Sequence, residues 1–460
     1  MALVEKRGNS YRITAYAGYD LNGKQIKKHL TWKPEPGMTK KQIEKELNRQ
    51  KVMFEEKVAS GVYLDGNVKF ADFVERWFKE YAETQIRTTT YYRYQSMIHR
   101  INAALGHMRL DKIQPQHILS FYQNLAESGI REDTKYKTTA DLHALMMAKK
   151  TSQQGIADAT GISVGSVRSA VRGYNVTKKT ADAITDALGL PFKDLFQPVD
   201  PDKTLSGTTI HRYHELLSSI FNTAVRWQVI FSNPCERVQP PKKNKPDPKY
   251  LDEVQARELL TLLEDEPPQF RIMVTALMFT GLRRAELLGL KWEDVDTETG
   301  LISVKRNLLY HPQTGTFESE TKTTMSQRTI KVSPAVCDLF REQKKLQTAH
   351  RLQLGDKWQS TGYIFTAWNG AALNPTTLSC SFDKFRKKHN LTGITIHGLR
   401  HTNATLQIAN GVPLTTVAHR LGHVNATTTT KIYAHAIQSA DAAAAQVLDD
   451  LLSPAAVKHG

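Results

Sequence analysis

Hydrophobic and polar positions alternate at the start of the chain. Residues 10–16 (SYRITAY) and 25–32 (QIKKHLTW) carry the period of two that predicts strands, with turn residues at 20–23 between them. Residues 1–33 therefore read as a small sheet, broken by Pro34-Glu35-Pro36-Gly37. A helix is predicted over 39–60, where Ile43, Leu47, Val52, Phe54 and Val58 stand among charges. Residues 68–128 change to helical spacing, with Phe70, Phe73, Val74, Trp77, Phe78 and Tyr81 on one stripe. Further helices follow over 88–105 and 114–128, divided by Gly106 and Pro115. Another amphipathic helix spans 205–229. Between them, residues 134–200 break the rhythm and carry a complete helical pattern of their own, which predicts a domain inserted into another domain at an exposed loop. The stretch 240–249 (PPKKNKPDPK) reads as an extended linker. A second body begins at Leu251, opens with helices, is strand-rich over 301–332 and returns to helices from about Pro375.

Composition narrows the partner. The 460-residue chain has a formal net charge of +16, which favours a polyanion, with nucleic acid ahead of an anionic membrane surface. Residues 1–60 alone hold 13 Lys/Arg against 7 Asp/Glu. No apolar run approaches the roughly 20 residues that span a bilayer, and the polar N-terminus does not read as a secretory signal. Cys235, Cys337 and Cys380 show neither metal spacing nor a disulfide framework, so a cytoplasmic location is expected.

Three short stretches near the C-terminus carry candidate chemistry. They are TGLRRAEL (280–287), HGLRHT (397–402) and LGH (421–423), with Tyr433 ten residues after His423. A phosphodiester under attack gathers negative charge on its non-bridging oxygens, and positioned cations stabilise it. The planar fork of arginine suits that task, so Arg283 and Arg400 are the candidate clamp. His397 and Arg400, three residues apart, share a helix face. His423 follows a glycine at a helix end. Tyr433 is a weak nucleophile until cations hold the phosphate and a base takes its proton. Each residue alone has an ordinary reading: an ion-pair arginine, a helix cap, a core aromatic. Their joint occurrence in this order outweighs those readings.

Together the three stretches resemble the tyrosine recombinase (lambda-integrase) family. The resemblance implies that Arg283, Arg400 and His423 contact the scissile phosphate and that His397 assists proton transfer. Tyr433 would attack to leave a 3′-phosphotyrosyl link and a free 5′-hydroxyl. The family's general acid is a lysine on a β-hairpin. Strands are predicted over 301–309 and 328–332, with 317–321 between them, which puts Lys322 at the matching turn and leaves Lys305 and Lys331 as competitors. Glu286 would orient the clamp. Neither metal nor other cofactor is implied, because the phosphotyrosyl bond conserves the phosphodiester energy. The segment after Tyr433 reads as a helix with Ala442, Ala445, Val447, Leu448, Leu451 and Leu452 apolar, and such tails in this family dock on a neighbouring protomer.

The expected fold is multidomain and mostly α with small β parts. Residues 1–62 resemble the arm-type DNA-binding domain of conjugative-transposon and temperate-phage integrases, a three-stranded sheet plus helix. Arg12, Lys24, Lys27, Lys28 and Lys33 are its candidate contacts. Residues 68–133 and 203–240 resemble the helical core-binding domain, which would clamp DNA together with the α+β catalytic domain, 249–460. Lys242, Lys243 and Lys245 in the linker would contribute salt-dependent affinity. The insertion, 134–200, resembles a repressor-type helix-turn-helix. Ile156, Ala157, Val167 and Val171 would be its buried face and Gly161 its turn. Gln153, Val164, Gly165, Ser166, Arg168, Ser169 and Arg172 would stand towards DNA. The poverty of long polar side chains there implies either DNA contact of modest base specificity or docking to protein instead.

The resulting expectation is a site-specific recombinase that integrates and excises a mobile element through a Holliday junction. Its expected partners are double-stranded DNA at core and arm-type sites, three further copies of itself, and excision or host DNA-bending factors. The alternative from another class is a DNA-binding regulator without catalysis. The six catalytic residue types, all retained, weigh against it.

Overall fold

The computed structural model describes residues 2–19, 23–59, 68–243, 249–320 and 327–422. Lys245, Lys322, His423, Tyr433 and the predicted tail helix therefore lie outside the described residues. The chain divides into two units, Met1–Lys245 and Pro246–Gly460. Both are mostly helical with small sheets, and among the described residues no helix is long and apolar enough to cross a membrane.

The first unit begins with the antiparallel strands Leu3–Arg7, Ser10–Tyr19 and Gln25–Trp32, followed by the helix Lys40–Ala59. Alternation sends Ile13 and Ala15 to one face, where they are buried with Phe54 and Val58 of the helix. The helical body that follows has a single apolar core drawn from two stretches of chain, residues 70–125 and 210–238. Trp77 is fully buried at its centre, and its indole N–H donates to Thr223 Oγ1 at 3.0 Å. The long helix Gly207–Arg226 thus packs on Phe70–Trp77 across 146 residues of sequence. Burial of each such large side chain is worth about 1.5–3 kcal/mol, so the two stretches stabilise each other.

Residues 134–200 have a separate core. Helices Leu142–Ala148, Gln153–Thr160, Val164–Val171 and Lys178–Leu188 bury Leu142, Met146, Ile156, Val167, Ala170 and Ile184. Strand Lys135–Thr138 pairs antiparallel with Phe196–Pro198, so the segment's two ends lie side by side. Two details differ from the sequence reading. Val164 is half-buried against this core rather than exposed. Ala170 takes the fully buried place, with Val171 only partly covered. At about 100° per residue Ala170 and Val171 stand on opposite sides of Val167, and the core lies on the Ala170 side.

In the second unit, helices Glu253–Leu263, Pro268–Thr280, Pro334–Leu354, Pro375–Lys388 and Ile396–Ala409 surround one large core. The expected strand over 301–309 is broken. Leu301–Val304 pairs with Arg328–Lys331, whereas Arg306–His311 pairs with Gly315–Glu320 in a separate hairpin. Lys305 sits at the break, held by Asp294 at 3.0 Å.

Candidate active site

The helix Pro268–Thr280 ends in a left-handed residue, Gly281, at φ +67°. A side chain there would meet Asn403 Oδ1 at 2.6 Å and Leu421 at 2.7 Å, so only glycine fits. The turn frees the Gly281 carbonyl, which accepts from Arg400 Nη1 at 2.8 Å. It also delivers Arg283 to the start of the short helix Arg284–Leu288. Asn403, one turn after Arg400, donates to the carbonyls of Met278 and Phe279 at 2.8 and 3.1 Å. The TGLR and HGLRHT stretches are thereby tied along the length of a turn. Thr402 adds an anchor by accepting the Leu251 amide at 3.0 Å.

Glu286 is buried and shared by three guanidinium groups. It accepts the Arg283 amide at 2.9 Å and Arg283 Nη1 at 2.6 Å. Arg328 Nη2 donates to it at 2.9 Å, and Arg400 Nη1 lies 4.0 Å away. Burial opposes its ionisation, but the hydrogen bond and charge of Arg328, then Arg283, outweigh that and hold the carboxyl below its ordinary pKa. One carboxylate cannot neutralise three guanidinium groups, so these four residues leave a surplus of positive charge.

The helix Leu414–Leu421 ends at Gly422, at φ +66°. Its last carbonyls have no partner within the helix. Arginines take all three: Arg328 Nε binds Arg420 O at 2.6 Å, Arg400 Nη2 binds Leu421 O at 2.6 Å, and Arg283 Nη2 reaches Gly422 O at 3.4 Å. Cations at a helix C-terminus are favoured by its dipole as well as by these bonds. The side chains of Arg328 and Arg400 are 1% and 3% exposed, whereas that of Arg283 is 38% exposed. Arg283 is thus the most exposed of the three guanidinium groups. His397 stands one turn before Arg400 on Ile396–Ala409 and keeps exposed surface. Partial desolvation, then the charges of Arg400 and Arg283, lower its pKa and so favour the neutral ring. His401 packs edge-on against it at 4.8 Å.

The sequence reading missed Arg328, although alternation held the signal. Arg328, Ile330 and Val332 share one strand face, and Arg328 and Ile330 are buried. It missed Asn403 as well. Of the competitors to Lys322, Lys305 is tied to Asp294 and Lys331 lies on the exposed face of its strand.

The candidate DNA contacts are divided by the fold. Cross-strand pairing puts Arg12, Lys27 and His29 on the outer face of the N-terminal sheet, where Arg7 joins them. Burial, then Arg12, Arg7 and Lys27, lowers the pKa of His29. Lys28 is in the opposite register, paired with the buried Ala15, because neighbours on a strand point to opposite faces. Lys24 and Lys33 flank that strand and are exposed. In the insertion, Ser152 and Ser163 cap Gln153–Thr160 and Val164–Val171, and Gly161, at φ +70°, turns between them. Arg168 and Arg172 are exposed, but Ser166 bonds Ser163 at 2.9 Å and Ser169 bonds the Gly165 carbonyl at 2.8 Å. Gln153 is half-buried. Lys242 is exposed, and Lys243 pairs with Glu215 at 2.9 Å.

Known proteins share sequence and fold with this chain. A model of the phage integrase family matches residues 249–439, and one of the phage integrase N-terminal SAM-like domain matches residues 69–126. Residues 134–200 lie outside both. A tyrosine recombinase XerC-like protein of Caldanaerobacter subterraneus is 29% identical over 54% of this chain and 67% of its own length. The ICEBs1 integrase of Bacillus subtilis is 28% identical, again over 54% and 67%. A Tn1549 transposon integrase fragment, solved in complex with transposon right end DNA, shares the fold with a TM-score of 0.55 at 19% identity. It covers 84% of this chain and 100% of the fragment.

Proposed function

We propose that this chain, a site-specific DNA recombinase similar to the phage integrase family of tyrosine recombinases, integrates and excises a mobile element by the following chemistry. Arg283 and Arg400, with His423, bind the non-bridging oxygens of the scissile phosphate. The Tyr433 hydroxyl loses its proton, with His397 assisting, and attacks phosphorus. The 5′-oxygen leaves, protonated by Lys322, and a 3′-phosphotyrosyl bond remains. Attack by a 5′-hydroxyl of a second duplex reverses these steps and joins the strands. Two duplexes present four strands and each chain carries one Tyr433, so complete exchange calls for four protomers and a Holliday junction between rounds.

The observation that carries this reading is the capture of three successive carbonyls, Arg420, Leu421 and Gly422, by three arginines immediately before His423. It fixes the cations before substrate arrives, which is what electrostatic stabilisation of a phosphoryl transition state requires. A neutral His397 suits a proton acceptor.

DNA is gripped, in this reading, by the core-binding helices and by the outer face of the N-terminal sheet. Arg12 and Lys27 lie on that face and Lys24 and Lys33 flank its last strand, whereas Lys28, on the opposite face, drops out of the contact. Lys242, Lys243 and Lys245 add salt-dependent affinity. The insertion contributes a helix-turn-helix contact through Gln153, Ser166, Arg168 and Ser169. Its support is the serine-capped helix pair around Gly161 and the absence of acidic residues between Asp158 and Asp182. With both serines bonded within their own helix, the contact is to the phosphate backbone more than to base edges.

The test is a nicked suicide duplex bearing a core sequence selected from a randomised pool for binding to the full chain. A covalent protein–DNA adduct is expected on a denaturing gel. DNA binding without any adduct would leave a non-catalytic regulator instead.

A further inference from the structure

The buried Arg328 has no part in the chemistry described above, yet it joins more of the site's framework than Arg283 or Arg400 does. It opens the strand Arg328–Lys331, paired with Leu301–Val304, and its side chain turns inward with Ile330. Its guanidinium makes a two-sided brace. On one side Nη2 and Nη1 donate to the two Glu286 oxygens at 2.9 and 3.3 Å. On the other, Nε donates to Arg420 O at 2.6 Å. Arg420 returns the bond, its Nη1 reaching Lys331 O at 2.9 Å. Gly422 lies against the same guanidinium, for a Cβ there would come within 2.8 Å of Arg328 Nη1.

We propose that Arg328 is a positioning residue for phosphate activation. It holds Glu286, which sets Arg283, and it holds the end of Leu414–Leu421, whose carbonyls set Arg400 and Arg283. The rotation of all three groups then depends on one planar fork. Lysine cannot replace it, because an ammonium is a point charge without the two-sided geometry. A displacement of about 1 Å in a clamp is enough to cost about a hundredfold in rate. The inference rests on the recombinase reading given above.

The test compares the full-chain R328K variant with wild type on two nicked duplexes of the selected core sequence. One has an ordinary scissile phosphodiester and the other a neutral methylphosphonate, which lacks the charge that the clamp meets. R328K keeps the positive charge beside Glu286 but loses the donor to the Arg420 carbonyl, so the unfolding temperature should fall, no further than for Arg400→Lys. On the phosphodiester, adduct formation should fall about a hundredfold with DNA affinity within about twofold of wild type. On the methylphosphonate, the deficit should shrink to less than about tenfold, because less depends on cation placement. The R328K/E286Q double variant should be no slower than the slower single variant, since both changes break one chain of contacts. Wild-type rates for R328K overturn the inference. An equal deficit on both substrates also overturns it and makes Arg328 merely structural. Absence of adduct from the wild-type chain overturns the recombinase reading itself.

Discussion

Arg400 donates to the carbonyl of Gly281 at 2.8 Å, so it is fastened to the turn that delivers Arg283. The turn exists only because Gly281 adopts φ +67° and because no side chain intrudes between Asn403 and Leu421. The two motifs, some 120 residues apart, are one mechanical object.

Replacing Gly281 by alanine should therefore damage both stability and activity. Left-handed backbone at a non-glycine residue costs about 1–3 kcal/mol, and the contact with Asn403 Oδ1 at 2.6 Å adds to it. Denaturant unfolding should show the loss, and the surviving folded protein should form adduct more slowly. An alanine variant with wild-type stability would mean that the turn relaxes freely.

Arg283 and Arg400 should respond differently to lysine. Arg400 is buried and satisfies two carbonyls, so Arg400→Lys should lower stability by about 1–3 kcal/mol as well as activity. Arg283 is more exposed, so Arg283→Lys should leave stability nearly unchanged while slowing adduct formation by about a hundredfold or more. Unfolding curves and single-turnover cleavage on the same preparations separate the two outcomes. Equal stability losses would contradict the division of roles.

Acid should weaken the second unit through His401. Burial first, then His397 and Arg400, pushes its pKa down to about 4. Between the ordinary histidine value near 6.5 and about 4, the unfolded chain binds a proton that the folded chain refuses. Stability therefore falls as pH drops through this window and is fully present above it. His397, lowered for similar reasons, acts in the same sense. Urea unfolding at several pH values should give a flatter dependence for His401→Gln than for wild type, and identical slopes would remove His401 from the account.

Much of this was legible in the sequence, for identifiable reasons. Arg283, His397 and Arg400 were singled out because phosphate chemistry limits which residue types serve, and the helix that carries the last two follows from their spacing. The second apolar rhythm at 134–200 was visible, and so was the return to the first rhythm afterwards, where Ile210 and Phe221 join the core of Phe70 and Trp77. Arg328 was missed because an arginine beginning a strand looks like an edge cation, and only pairing with Val304 turns it inward. Lys28 was grouped with Lys27 because a run of lysines does not announce which face each occupies. The break at Lys305 was hidden because Leu301–Val304 and Arg306–His311 are both apolar enough to read as one strand, while only their partners differ.

Deleting residues 134–200 should leave the helical body folded. The segment's ends are antiparallel partners, Tyr136 opposite Pro198 and Val199 N–H bonded to the Lys135 carbonyl at 2.9 Å, so the chain enters and leaves side by side and a short Gly-Ser bridge can join it. Its core is its own, and the cluster around Trp77 draws on residues before and after it. The shortened chain should unfold cooperatively, bind the selected core duplex and give a smaller footprint with a shallower salt dependence. An unchanged footprint would contradict DNA contact by the insertion.

The central claim is that Tyr433 becomes covalently joined to the 3′ side of the cut strand. Digesting the adduct from the suicide duplex with protease and nuclease, then sequencing the nucleotide-bearing peptide by mass spectrometry, tests it directly. The account predicts a nucleotide 3′-phosphate on Tyr433 and no adduct from the Tyr433→Phe chain. A nucleotide on any other residue, or an adduct that persists in Tyr433→Phe, would contradict it.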